Sequence, residues 1–96
     1  MKTILIIEDD AALRENTAEL LELSGYNMIT APNGKIGIEK AKSEKPDIIV
    51  CDIMMPEVDG YGVLEAMSLD SETNHIPFIF LSAKTEHKEV RKGMDL

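Results

Sequence analysis

The chain has 96 residues, of which 44% are hydrophobic and 29% charged, a composition typical of one small globular domain rather than a disordered segment. Eighteen acidic against ten basic residues give a net charge of −8, which argues against direct binding to nucleic acid or to an anionic membrane surface. No apolar run reaches the roughly 18 residues needed to cross a bilayer. The single cysteine, Cys51, cannot form an internal disulfide, so we expect a cytoplasmic location.

The hydrophobic pattern alternates between short apolar runs and longer segments of helical period. Strands are predicted at residues 4–7, 27–31, 47–51 and 76–81, and helices at 11–24, 34–44, 61–70 and about 84–93. The predicted inner faces are Leu13, Thr17, Leu20 and Leu21 in the first helix, and Gly34, Gly37, Ile38 and Ala41 in the second. This order predicts an α/β fold, with a parallel sheet and helices on both faces. Because it stops on a helix, we expect an incomplete C-terminus.

Acidic or hydroxyl side chains directly follow three of the predicted strands: Glu8, Asp9 and Asp10 follow the first, Asp52 the third, and Ser82 lies at the end of the fourth. In a doubly wound sheet these strand ends border one ligand crevice. Two like charges 4 Å apart cost about 4 kcal/mol at an effective dielectric of 20, so the cluster favours a bound cation, and its oxygen ligands suit Mg²⁺. The alternative is that Glu8 and Asp10 only stabilise the N-terminus of the first helix.

Three segments carry a resemblance to a known family: ILIIEDD at residues 4–10, DIIVCDIMMPEVDG at 47–60 and FIFLSA at 78–83. In order and spacing they resemble the receiver domain of two-component response regulators, and the resemblance covers the whole chain. It implies a flavodoxin-like, doubly wound parallel sheet of strand order 2-1-3-4. The fifth strand and helix of the family pattern, with their lysine and aromatic switch residue, would be missing.

Position by position, the resemblance implies that Asp52 is the phosphoacceptor and that Ser82 is the switch hydroxyl. It makes Glu8, Asp9, Asp52 and the backbone carbonyl of Met54 the ligands of Mg²⁺. The implied function is Mg²⁺-dependent phosphoryl transfer to Asp52 from a sensor histidine kinase or a phosphotransfer protein. Such a domain is a switch rather than an enzyme, and at most it catalyses its own phosphorylation and dephosphorylation.

Four further hypotheses concern the missing elements and single residues. Without a fifth strand, the predicted fourth strand would be an exposed apolar edge, so we expect a homo-oligomer formed by edge pairing or by exchange of elements. The alternative function is a truncated, signalling-inert receiver that acts only as an assembly module. We also expect Asp59 to cap the third helix, and we expect slow autodephosphorylation, because the thioether of Met54 cannot orient an attacking water.

Overall fold

The computed structural model of the chain describes residues 1–81. They form the strands β1 (Thr3–Ile7), β2 (Asn27–Ala31), β3 (Ile48–Asp52) and β4 (Phe78–Leu81), and the helices α1 (Ala11–Leu23), α2 (Gly34–Glu44) and α3 (Gly60–Leu69). All strands are parallel, in the order β2-β1-β3-β4, which confirms the predicted flavodoxin-like order. The helix predicted at about 84–93 lies outside the described residues.

A side-chain oxygen fixes the start of each described helix, as predicted from the sequence. The caps are Asp10 Oδ1 with the N–H of Leu13 at 3.1 Å, Asn33 Oδ1 with that of Ile36 at 2.8 Å, and Asp59 Oδ1 with that of Gly62 at 2.9 Å. After α1 the chain turns at Gly25, whose φ of 100° lies in the left-handed region that glycine tolerates. Within residues 1–81, none of the helices has the length and apolar character of a bilayer-spanning segment.

Three of the four strands differ from the prediction at their ends, and β1 begins one residue earlier, at Thr3. β4 begins at Phe78 instead of residue 76, because Pro77 has no N–H to donate to a ladder. The carbonyl of Pro77 accepts a hydrogen bond from the N–H of Ile49 at 2.9 Å, and Ile76 packs into the core. β3 begins and ends one residue later than predicted, so that Asp52 is its last residue.

The apolar core lies between the sheet and the helices α2 and α3. Its fully or nearly fully buried members include Leu5, Ile7, Ala31, Ala41, Ile49, Cys51, Val63 and Met67. The inner face predicted for α2 is confirmed, since Gly34, Gly37 and Ala41 are buried and Ile38 packs against this cluster. Gly37 lets α2 lie directly on the sheet, because a Cβ at that position would overlap the side chain of Ile7.

The opposite side of the sheet is covered less completely by the described residues. α1 packs against β1 and β2, and none of its residues is fully buried. The predicted inner face is wrong for Leu20, which is 66% exposed, whereas Leu21 is half-buried. Consecutive helical residues point about 100° apart, so the two leucines cannot both face the sheet. On the same side, Ile79 of β4 is 51% exposed.

Candidate metal centre

Three carboxylates meet where β1 and β3 end. Ile7 is in register with Cys51, so the residues that follow them, Glu8 and Asp52, are neighbours at the carboxyl edge of the sheet. Both are fully buried, while Asp9 is exposed and gives the cluster an open side. One carboxylate oxygen from each of the three lies within 4.8 Å of the others. The fold therefore brings the three predicted carboxylate ligands together.

Hydrogen bonds fix both the main chain and the side chain of Glu8. Its N–H donates to the carbonyl of Ala31 at 3.1 Å, and its own carbonyl accepts from the Nη1 of Arg14 at 2.9 Å. Its Oε2 accepts from the N–H of Asp10 at 2.9 Å. Asp10 itself caps α1, so the helix-stabilising interpretation holds for this residue. The first acidic residue of the cluster is thus held by contacts to β2, to α1 and to the intervening turn.

Arg14 also contributes to this edge, and the sequence motifs do not indicate it. It lies seven residues before Leu21, which places the two on nearly the same face of α1, and it is half-buried. A charged residue at a position that faces the sheet needs a polar partner, because burying it without one costs free energy. That signal was present in the sequence, although the identity of the partner, the carbonyl of Glu8, was not.

The loop between β3 and α3 is shaped closely around the end of β3. The N–H of Gly60 donates to the carbonyl of Ile53 at 2.8 Å. A Cβ at Gly60 would lie 2.5 Å from the carbonyl oxygen of Asp52 and 2.8 Å from the Cα of Ile53, so only glycine allows α3 to begin so close to this strand. Glu57, in the same loop, has a left-handed φ of 68°. The main chain that follows Asp52 is therefore tightly constrained.

Of the remaining candidate residues, Met54 is among the described residues and Ser82 is not. Met54 lies in this loop with its side chain 43% exposed, whereas Met55 is buried at 8% exposure. Ser82 lies outside the described residues, although Leu81, the residue before it, is in register with Asp52. The switch role of Ser82 and the metal-ligand role of the Met54 carbonyl remain predictions.

Cys51 packs as an uncharged core residue next to the acidic cluster. Its Sγ donates to the carbonyl of Asp52 at 3.2 Å. Burial is the largest cause that raises the pKa of the thiol, and together with the negative charges of Asp52, Glu8 and Asp59 it raises that pKa to about 12. The thiol is therefore protonated at neutral pH, in agreement with the buried strand position that the sequence predicts.

The donor set of the cluster fits Mg²⁺. This ion prefers hard oxygen ligands at about 2.0–2.1 Å, so two ligands on opposite sides of it are about 4.2 Å apart. The three carboxylate oxygens lie within 4.8 Å of one another, so small side-chain movements would bring them to that spacing. An ion there would also offset the repulsion among the three negative charges.

A model of the family described as response regulator receiver domain matches residues 4–96. The chain belongs to this family. The receiver is 37% identical over 95 residues to the alkaline phosphatase synthesis transcriptional regulatory protein PhoP of Bacillus subtilis, and the match covers 99% of this chain and 39% of PhoP. More generally, the chain spans 35–39% of the length of the first curated relatives it matches.

Solved structures agree with the fold. The N-terminal domain of a response regulator receiver protein from Methanoculleus marisnigri JR1 gives a TM-score of 0.81 at 26% identity, covering 99% of this chain and 94% of that one. The receiver domain of the sensor histidine kinase PA1611 from Pseudomonas aeruginosa PAO1 gives 0.79 at 20% identity, covering 91% and 74%, and has a magnesium ion coordinated in its active-site cleft. Receivers are signalling domains of two-component systems rather than classical enzymes.

Proposed function

We propose that this receiver accepts a phosphoryl group on Asp52 from the phosphohistidine of a sensor histidine kinase or of a phosphotransfer protein. A carboxylate oxygen of Asp52 attacks the phosphorus, a P–O bond forms and the P–N bond breaks. The histidine nitrogen keeps the electron pair and takes up a proton, and an acyl phosphate remains on Asp52. The observation that carries this proposal is the position of Asp52, which ends β3 within 4.8 Å of two further carboxylates.

Glu8, Asp9 and Asp52 would hold Mg²⁺, together with the backbone carbonyl of Met54. A bound Mg²⁺ supplies charge neutralisation for the carboxylates and for the phosphoryl oxygens. Glu8 and Asp9 would have different roles at this site. Glu8 is buried and hydrogen-bonded in place, whereas the exposed Asp9 marks the side from which a phosphodonor reaches Asp52. The magnesium ion in the cleft of the PA1611 receiver, which has the same fold, is consistent with this assignment.

The hydroxyl of Ser82 would donate a hydrogen bond to a phosphoryl oxygen and so transmit phosphorylation to the surface of the domain. The surface would then exist in two states whose populations depend on the charge at Asp52. The net charge of −8 supports a domain that does not bind nucleic acid by itself. The single cysteine, Cys51, supports a cytoplasmic location.

Phosphorylation by acetyl phosphate tests the assignment of Asp52. Incubation with acetyl phosphate and Mg²⁺ is expected to add one phosphoryl group, detected by intact-mass spectrometry. The adduct should be absent after chelation of the metal and in Asp52→Asn. Asp70→Asn is the matched control, because Asp70 lies in the loop after α3 and pairs with Lys42. An adduct that persists in Asp52→Asn, or its absence from the wild type, contradicts the proposal.

The side chain two residues after Asp52 bears on how long the phosphoryl group stays. Met54 is 43% exposed, and its thioether is a weak acceptor that cannot hold a water in line for attack. Met54→Asn is expected to speed hydrolysis of the acyl phosphate by roughly ten- to a hundredfold, within what correct positioning of a reactant contributes. The decay of the phosphorylated mass after removal of acetyl phosphate measures this rate. Met54→Leu serves as the control, and an unchanged rate in Met54→Asn contradicts the hypothesis.

A second candidate function, self-assembly, is favoured by one observation. Within residues 1–81, β4 is an edge strand and its Ile79 is 51% exposed. We propose that a second copy of the chain covers this edge, by strand pairing or by exchange of elements. Sedimentation at tens of micromolar should then detect dimers or larger assemblies that Ile79→Lys weakens. A monodisperse wild-type monomer contradicts assembly, and an assembled chain that acetyl phosphate cannot label supports the signalling-inert alternative.

A further inference from the structure

Arg14 contacts the acidic cluster through the main chain instead of through a carboxylate. It is a half-buried residue of α1, and its Nη1 donates to the carbonyl of Glu8 at 2.9 Å. That carbonyl belongs to the peptide group joining Glu8 to Asp9, two of the three proposed metal ligands. Arg14 therefore acts on the segment of main chain from which both side chains project.

This hydrogen bond completes a set that immobilises the turn. On one side, the N–H of Glu8 is bound to the carbonyl of Ala31. On the other, Arg14 binds the carbonyl of Glu8, which prevents rotation of the peptide plane before Asp9. A rotation about the Cα–C bond of Glu8 that the N–Cα bond of Asp9 did not offset would turn the side chain of Asp9 away from that of Glu8, and the two carboxylates would no longer converge. The orientation of the pair thus depends on a side chain that is not itself a ligand.

We propose that Arg14 is a positioning residue of the metal site, which fixes the Glu8–Asp9 peptide so that both carboxylates point at one divalent cation. This inference rests on the proposed function. The position of Arg14 supports it, because an apolar residue on this face of α1 would pack against the sheet without the desolvation cost of a guanidinium. The positive charge of Arg14, taken alone, would oppose the binding of a cation at the neighbouring site.

The two possible effects of Arg14 on the metal have opposite signs, and this makes the proposal testable. If Arg14 influenced the site only through its charge, removing it would strengthen binding of a divalent cation. If it positions the ligands, removing it weakens binding. Salt separates the two further, because ions screen a charge effect on a partly exposed group and leave the loss of geometry unchanged.

A matched contact elsewhere in the fold controls for general loosening of the structure. The Nζ of Lys40, on α2, donates to the carbonyl of Thr30 on β2 at 2.7 Å. This is also a cation on a helix that binds a main-chain carbonyl, but neither residue belongs to the acidic cluster. Lys40→Met therefore removes the same kind of contact without changing the Glu8–Asp9 peptide.

Isothermal titration calorimetry with Mg²⁺ on the full chain measures the effect at two ionic strengths. Arg14→Met is expected to weaken binding by about 10- to 100-fold at both, the range typical for loss of a residue that orients a metal ligand. Arg14→Lys should recover part of the affinity, and Lys40→Met should bind like the wild type. Urea unfolding and far-UV circular dichroism establish that each variant is folded under the titration conditions.

Unchanged or tighter Mg²⁺ binding by folded Arg14→Met overturns the proposal. If Arg14→Met does not fold, Arg14→Gln decides, since its side chain is neutral and shorter than that of arginine, and affinity equal to or tighter than that of the wild type in this variant overturns the proposal. Asp9→Asn separates this failure from failure of the metal site. If the wild type and Asp9→Asn bind Mg²⁺ equally, or neither binds, the proposed metal site is wrong. If only Asp9→Asn loses binding while Arg14→Met keeps it, the role of Arg14 alone is wrong.

Discussion

The two sides of the sheet differ in the type of side chain found near the carboxyl ends of the strands. On the side that packs against α2 and α3, β1 and β3 stay apolar to their ends, at Ile7 and Cys51. Side chains alternate along a strand, so the opposite side carries two other series. These are Ile4, Ile6 and then Glu8 along the first strand, and Ile48, Val50 and Asp52 along the third. On the side of α2 and α3, the side chains are thus apolar up to the carboxyl edge. On the side of α1, they change from apolar residues to carboxylates at that edge.

The helices on the two sides differ in burial. α3 contains fully buried residues such as Val63, whereas α1 has none, although Ile6, Glu8 and Asp52 are fully buried on its side of the sheet, where Ile79 is 51% exposed. Arg14, which binds the main chain of Glu8, also belongs to α1. The comparison teaches that the carboxylates which would bind a ligand lie on the side of α1, whereas the side of α2 and α3 is apolar up to the carboxyl edge. Substitutions on the first side should change the free energy of unfolding, and those at the carboxyl edge on the second should change ligand binding.

Two isoleucines on neighbouring strands give the largest expected difference. Ile49 is fully buried against α2 and α3, and Ile79 is 51% exposed on the other side. Ile49→Ala should lower the free energy of unfolding by about 3 kcal/mol, because it removes buried methyl groups and leaves a cavity. Ile79→Ala should lower the free energy of unfolding by less than about 1 kcal/mol, as is usual for a side chain that is half exposed. Urea unfolding measures both, and equal losses would contradict the division between the two sides.

Two glycines of α3 test how tightly the packed side encloses the end of β3. A Cβ at Gly60 would lie 2.5 Å from the carbonyl oxygen of Asp52, which belongs to the main chain and cannot move aside. Gly60→Ala should therefore destabilise the fold by about 2 kcal/mol. At Gly62 the nearest atom is Cγ1 of Val58 at 3.2 Å, which can rotate, so Gly62→Ala should be neutral or gain up to about 1 kcal/mol from helix propensity. Equal destabilisation in urea unfolding would contradict the steric argument.

Alkaline pH tests whether the last core residue of β3 is as apolar as its position indicates. Burial, followed by the charges of Asp52 and Glu8, raises the pKa of Cys51 from 9.0 to about 12. Between these values the folded protein keeps a proton that the unfolded chain loses, so stability is full below pH 9 and declines as the pH rises toward 12. The decline should reach about 1.4 kcal/mol per pH unit.

Cys51→Val is the matched variant for this measurement, because it leaves every other ionisable side chain unchanged. The free energy of unfolding of the variant should fall less steeply than that of the wild type between pH 9 and 10.5. Parallel pH dependences in the two proteins would mean that Cys51 does not titrate differently in the folded and unfolded states.

The sequence predicted those parts of the fold that depend on local chemistry. The periods of hydrophobicity located the strands and helices, and Asp10, Asn33 and Asp59 marked the helix starts, because a cap needs only residues within one turn. The meeting of Glu8, Asp9 and Asp52 was also predictable, since the carboxyl ends of parallel strands share one edge. The chemical roles of these residues came from the family resemblance and not from their spacing.

What the sequence could not predict depends on how elements are rotated and how closely they approach. The outward position of Leu20 and the contact of Arg14 with Glu8 are both set by the rotation of α1 about its axis over β1 and β2. Likewise, the sequence does not distinguish Gly60 from an ordinary loop glycine. Only the structure shows that a Cβ there would lie 2.5 Å from the carbonyl oxygen of Asp52. Tertiary packing determines these features, and no local pattern encodes them.

The smallest expected effect on stability comes from the acidic cluster, and it has the opposite sign to the core substitutions. In the absence of metal, Asp52→Asn should stabilise the fold by about 1 kcal/mol, because it removes one of three like charges whose oxygens lie within 4.8 Å. Mg²⁺ should reverse the order: at tenfold its dissociation constant it adds about 1.4 kcal/mol to the wild type and less to the variant. Thermal unfolding with and without Mg²⁺ measures both terms, and Asp70→Asn serves as the control. If Asp52→Asn were destabilising without metal, the carboxyl edge would contribute to stability as the core does, and the separation of the two sides would fail at Asp52.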